Sequence, residues 1–159
     1  MRTSWVLRVL IVAGLVAWAG HSAYSSRQAA DWARRAAEEP PPPGILAEVP
    51  AHPAALEQAA LIATNRVFPR QWGEAARFAE AWTRRRPFSS DAWAMLGQAE
   101  FMRGNRETGL AALDHSESLA PGFPAGRIEA FPIRALAGQH DHIEATARQV
   151  AALDSLAPL

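Results

Sequence analysis

Three constellations in the chain have residue types that could do chemistry. His140-Asp141-His142 is the segment with metal-ligand character. On a strand its two imidazoles would share a face, but at the start of a helix, where the pattern places them, residues two apart diverge, and Asp141 reads instead as the helix N-cap. Arg84, Arg85 and Arg86 stand directly before Pro87. There they either complement the negative end of a helix dipole or meet anionic lipid headgroups or an acidic partner. Arg127 and Arg134, seven apart on one helical face, could grip an anion or pair with Glu129 or Asp141. His52 and His115 are isolated. No carboxylate pair, Ser-His-Asp set or glycine-rich phosphate loop has workable spacing. The chain has no Lys and no Cys, so a Walker loop, a lysine Schiff base, thiol catalysis and thiolate metal sites are excluded. The expectation is a protein that is not an enzyme, with no catalytic, cofactor-binding or metal-binding residues; a metal-dependent hydrolase built on Arg or His is the enzymatic alternative.

The elements that would position a site are set by composition and patterning. The chain has 159 residues, 49% hydrophobic, with zero net charge. That suits one domain with appendages and gives no electrostatic basis for a nucleic-acid partner. Ser4 to Tyr24 is apolar apart from Arg8 and small polar residues, and two readings of it compete. As an uncleaved transmembrane anchor over residues 1–24, Trp5 and Tyr24 would mark the two interfaces of a hydrocarbon layer about 30 Å thick, with Arg8 snorkelling. As a signal peptide, Arg2 and Arg8 form the basic region and Ala17-Trp18-Ala19 the cleavage site. The flanking arginines nearly tie, and a signal-like start sends the C-terminal domain across the membrane.

Residues 25–39 are rich in helix formers and read as a solvated helical stalk. Pro40 to Pro43 and Gly44 end it, and residues 40–53 read as a stiff Pro-rich linker. A helical domain is expected over residues 54–157, opening near Pro53, a residue suited to a first helical turn.

Within that domain, Pro87 and Pro121 lie 34 residues apart. With Ser90 as position 1 of a unit, Trp93, Leu96, Gly97, Gly104 and Pro121 fall at positions 4, 7, 8, 15 and 32, Gly109 and Ser116 at 20 and 27, and Leu113 at 24. This pattern resembles the tetratricopeptide repeat. Small residues at 8 and 20 let two antiparallel helices approach, while Trp93, Leu96 and Leu113 fill the space between them. Ser89 or Ser90 starts the first helix, Gly104 ends it and Asn105 caps the second. Glu100 and Arg106 replace aromatic residues usual in the family. An upstream unit is weaker, with Ala59 at position 4, Arg70 at 15 and Pro69 ending its first helix early; Trp72, Phe78 and Trp82 supply volume there. A downstream unit is degenerate: Pro132 interrupts its first helix, and Ile143, Ala147 and Val150 face inward from its last, with Glu144 and Arg148 an exposed pair. The expected fold class is all-α: an N-terminal transmembrane or signal-anchor helix, then a short α-solenoid of about three such helix pairs.

The resemblance also implies a groove lined by the first helix of each pair. Transferred by position, its residues are Glu57, Ala60, Thr64, Val67 and Phe68 from one unit and Asp91, Ala94, Gln98, Phe101 and Met102 from the next. Phe101 and Met102 either line this groove or pack on the following helix. Ala94 and Gln98 replace the residues that clamp a carboxylate in chaperone-tail relatives, so that subtype is excluded. A mainly apolar groove with acidic edges suits a protein or peptide partner with hydrophobic anchors. The implied function is a non-catalytic, membrane-anchored adaptor or assembly factor of a bacterial cell envelope, serving for instance cytochrome c maturation, polysaccharide assembly or secretion. It would be single-pass in the inner membrane with the C-terminal domain periplasmic, or secreted to the periplasm after cleavage near Ala19. The alternative is an integral structural subunit of a membrane complex or a homo-oligomer.

Overall fold

The computed structural model describes residues 3–38, 44–65, 70–121 and 130–154, and among these every regular element is helical. The chain divides into two compact units, residues 1–56 and 57–159.

In the first unit α1 runs unbroken over Thr3–Ala36, 34 residues, as expected of a segment without proline or an internal cap. The stalk portion is not solvated all round. Ala29, Trp32 and Ala36, one stripe at helical spacing, are buried. After the prolines the chain turns at Gly44, whose φ of 79° suits glycine, into a 3₁₀ helix, Ile45–Glu48. That turn is fastened back to α1: Trp32 Nε1 donates to the Ile45 carbonyl at 3.0 Å, and Arg35 pairs with Glu48 at 2.8 Å. The segment after the prolines is therefore a return onto the stalk. The first half of α1 differs: Leu10, Ile11, Val12, Leu15, Val16 and Trp18 are 54–70% exposed, on all sides of the helix. Among the described residues no helix is long and apolar enough to cross a membrane.

The second unit carries α2 (Pro53–Asn65, whose first turn belongs to the first unit), α3 (Trp72–Arg85), α4 (Ser90–Met102), α5 (Arg106–Leu119), α6 (Phe131–Leu136) and α7 (His140–Asp154). The starts of α3, α5 and α7 at Trp72, Arg106 and His140 are spaced by 34 residues, the period that separates Pro87 from Pro121. The residues closing α3 and α5, Arg86 and Ala120, share one backbone conformation, with φ of −135° and −131° and ψ of 74° and 61°. Ser89 caps α4, its hydroxyl accepting from the Ala92 N–H at 3.3 Å.

Two tight turns repeat the same period in the backbone. Past α4, Gly104 has φ 104°; its N–H donates to Phe101 O and the Asn105 N–H to Glu100 O. Past α6, Gly138 has φ 76°; its N–H donates to Ala135 O and the Gln139 N–H to Arg134 O. Both are Schellman closures, which need a left-handed residue. Asn105 does not cap α5 with its side chain. Its amide donates instead to Glu100 Oε2 at 2.7 Å, beside Arg103 at 2.8 Å. At the equivalent place Arg134 Nη1 donates to Gln139 Oε1 at 2.7 Å. Polar pairs of opposite sense thus hold the two turns.

Helices α4 and α5 form an antiparallel pair, with α3 against α4 and α6 against α7. The closeness of the central pair rests on two glycines. A Cβ on Gly97 would lie 2.7 Å from Leu113 Cγ and 2.8 Å from Gly109 O; one on Gly109 would lie 2.7 Å from Phe101 N and 2.8 Å from Gly97 O. Their positions predict that Trp93 and Leu113 meet between the helices, but they do not: the backbones touch there, and the two side chains fill opposite sides of the pair. Trp93 packs with Ala79, Leu96 and Ala112, sets its ring edge-on to His115 at 4.4 Å and donates Nε1 to Pro87 O at 2.8 Å. Leu113 packs with Phe101, Ala130 and Ile133. Ser116 ties the far end, donating to Ser90 O at 2.8 Å.

The third pair departs from its sequence reading. The described part of its first helix begins at Phe131, with Pro132 in the first turn, where a missing N–H costs nothing; residues 122–129 lie outside the described residues. In α7, Asp141 is inside the first turn rather than at the cap, Thr146 is the buried residue, and Ala147 is exposed. Glu144 and Arg148 form the expected exposed pair at 3.6 Å. Val150 lies outside the residues whose side chains are described.

Alanine at Gly97 or Gly109 gains about 1 kcal/mol of helix propensity but drives a methyl into its neighbours, an overpacking cost of about 1–3 kcal/mol or more. Each variant is expected to lower the urea midpoint, the Gly109→Ala variant more, since its nearest neighbours are main-chain atoms. Gly73→Ala, in open space in the first turn of α3, should leave the midpoint unchanged or raise it.

Candidate functional site

A concavity of about 300 Å³ opens on the second unit, walled by Glu57 and Leu61 of α2, Trp82 of α3, Asp91, Ala94, Met95 and Gln98 of α4, Leu113 of α5, and Ala130 and Ile133 at α6. Its walls come mostly from the first helix of each pair. Two pairs of wall residues are equivalent by the period: Glu57 with Asp91, and Leu61 with Met95, each 34 residues apart. One helical turn separates the acidic residue from the apolar one on each helix, so both helices present a carboxylate and a hydrophobic side chain to the same space.

Of the residues expected in a groove, the structure brings together Glu57, Asp91, Ala94 and Gln98. Ala60 and Thr64 are buried, and Thr64 Oγ1 donates to Leu61 O of its own helix at 3.0 Å. Phe101, 7% exposed, is a core residue packed on Leu113, Ala130 and Ile133, with Arg106 laid over its ring at 5.1 Å. Met102 is exposed but off the cavity wall. Val67 and Phe68 lie outside the described residues. Transfer by repeat position does not reach Leu61, Met95 or Trp82. The signal for the first two is present in the sequence, as apolar residues one period apart and one turn beyond the acidic pair.

The wall is chemically one-sided. Among the described residues, Leu61, Ala94, Met95, Leu113 and Ile133 form an apolar floor, and Glu57 and Asp91 are the charged groups of the lining, with no cation beside them. Neither carboxylate has a salt-bridge partner among the described residues. Trp82 is 4% exposed, and its Nε1 is a buried donor with no protein acceptor. Among the described residues no three His, Cys, Asp or Glu side chains are placed to share a metal ion.

The arginines have other work. Arg134, 1% exposed, does not reach Asp141. Nη2 donates to Asp114 Oδ1 at 2.7 Å and to Glu117 Oε1 at 2.7 Å, and Nε to Glu117 at 3.0 Å. His142 Nε2 sits 3.1 Å from Glu117 Oε2, so one network ties α5, α6 and α7 together. Arg84 pairs with Glu80 at 2.7 Å on the surface. Arg127 is outside the described residues.

Comparison with protein-family models, with curated proteins and with solved structures finds no match for this chain.

Removing Arg134 strands a carboxylate: Arg134→Ala should cost about 3–5 kcal/mol, because Glu117 is left charged and nearly buried. Most of that cost belongs to Glu117, since the Asp114 pair is largely solvated. Pairing Arg134→Met with Glu117→Gln is therefore expected to recover part of the loss, read as a sub-additive double-variant cycle in denaturant titrations.

Proposed function

We propose that the protein is a non-catalytic adaptor or assembly factor of the tetratricopeptide type, anchored by α1 to the bacterial inner membrane, whose second unit holds a protein partner on the periplasmic side. The observation that carries this reading is the concavity walled by first helices one period apart, with the same residue classes recurring at the same positions. Such recurrence is what stacked helix pairs produce when they line a common trough. The 34-residue spacing of α3, α5 and α7 and the paired turns at Gly104 and Gly138 support the repeat assignment.

Support for the anchor comes from α1. An aqueous helix buries an apolar stripe and exposes a polar face, whereas Leu10 to Trp18 exposes large apolar groups all round. That described stretch is about 13 Å long, a little under half a hydrocarbon layer, and the sequence from Ser4 to Tyr24 supplies the rest. Tethering would confine the concavity to the membrane surface and raise its effective concentration for partners held in or emerging from the same membrane.

Two measurements test the reading. Alkaline carbonate should leave the full chain in the membrane pellet and release a chain deleted of residues 1–24; release of both ends the anchor proposal. A photocrosslinking residue at Gln98, on the cavity wall, should capture a discrete protein in native membranes, while one at buried Phe101 should not. Equal or absent capture from both sites would overturn the adaptor reading, and a fixed stoichiometric complex in mild detergent would favour the structural-subunit alternative.

A further inference from the structure

The proposed function leaves the partner's chemistry open, and the wall of the concavity constrains it. Resting on that reading, we infer that the occupant is a peptide segment with large aliphatic anchors flanked by Arg or Lys. The volume of about 300 Å³ accommodates one or two bulky side chains, and the floor of Leu61, Met95 and Ile133 favours aliphatic ones. The rim is where specificity enters. Glu57 and Asp91 stand on separate helices at equivalent positions, free of ion pairs among the described residues, and no described lining residue is cationic.

Two carboxylates over an apolar floor repel acidic segments and attract basic ones, a discrimination that acts most strongly on encounter and on the choice between similar peptides. The two acids are not equivalent. Asp91 lies in the first turn of α4, where it also offsets the positive helix end, whereas Glu57 lies beyond the first turn of α2 and has the freer charge.

The test uses the full chain in a nonionic detergent and fluorescence anisotropy with labelled peptides of about twelve residues. The reference probe has a central Leu-Leu pair with one Arg on each side; a second probe has Glu for Arg, and a third has Ser for Leu. The Arg probe should bind about tenfold or more tightly than the Glu probe, lose this advantage in high salt, and bind no tighter than background when Ser replaces Leu. Glu57→Gln combined with Asp91→Asn should erase the preference, with Glu57→Gln alone removing the larger share; both positions are surface-accessible, and circular dichroism checks the fold. Equal binding of the Arg and Glu probes overturns the inference, as does an Arg preference that survives the double substitution. If neither probe binds, the inference also falls, and the Gln98 crosslink then decides separately whether the concavity takes any protein partner.

Discussion

The second unit depends on two helix backbones touching. At Gly97 and Gly109 each helix presents a carbonyl oxygen to the α-carbon of the other, at a distance no β-carbon permits. Such an approach removes side chains from the seam and forces them to its flanks. Trp93, Leu96 and Ala112 collect on the side facing α3, and Leu113 and Phe101 on the side facing α6. Two small cores result, one on each side of the pair, and each needs a neighbouring helix to close it. Ala79 of α3 closes one of them, and Ala130 and Ile133 at α6 close the other.

The same approach accounts for what the sequence reveals and what it hides. The period, the glycine positions, the α4 cap at Ser89 and the turn at Gly104 are legible, because each depends on a residue with a narrow conformational or steric role. Side-chain destinations are less so. Phe101 reads as a groove residue by position, yet the close approach at Gly109 brings its backbone under α5, and its ring then has the Leu113 and Ile133 flank to fill. Thr64 fails for a simpler reason: its hydroxyl satisfies itself on Leu61 O and can be buried. The stalk misleads in the opposite direction, since Trp32 among charged residues looks solvated until the 3₁₀ turn supplies a carbonyl for its indole. Arg134 hides its partners because Glu117 and Asp114 are far off in sequence and close only once α5 and α6 pack.

The two glycine turns share a geometry while their side chains differ. Glu100 with Asn105 and Arg134 with Gln139 occupy equivalent places and make equivalent bonds with donor and acceptor exchanged. What the turn requires is a side chain reaching one residue past the glycine, together with the left-handed glycine itself; either polarity meets that need. Arg106 adds a third polar link, donating to Leu136 O at 2.9 Å across the seam between α5 and α6. These charged groups impose a condition that aromatic packing does not. A misplaced ring loses some contact area, but a misplaced Arg134 leaves a buried guanidinium and a carboxylate unmatched. The third pair is therefore held in register by the cost of breaking its polar network, even though its sequence pattern is the weakest of the three.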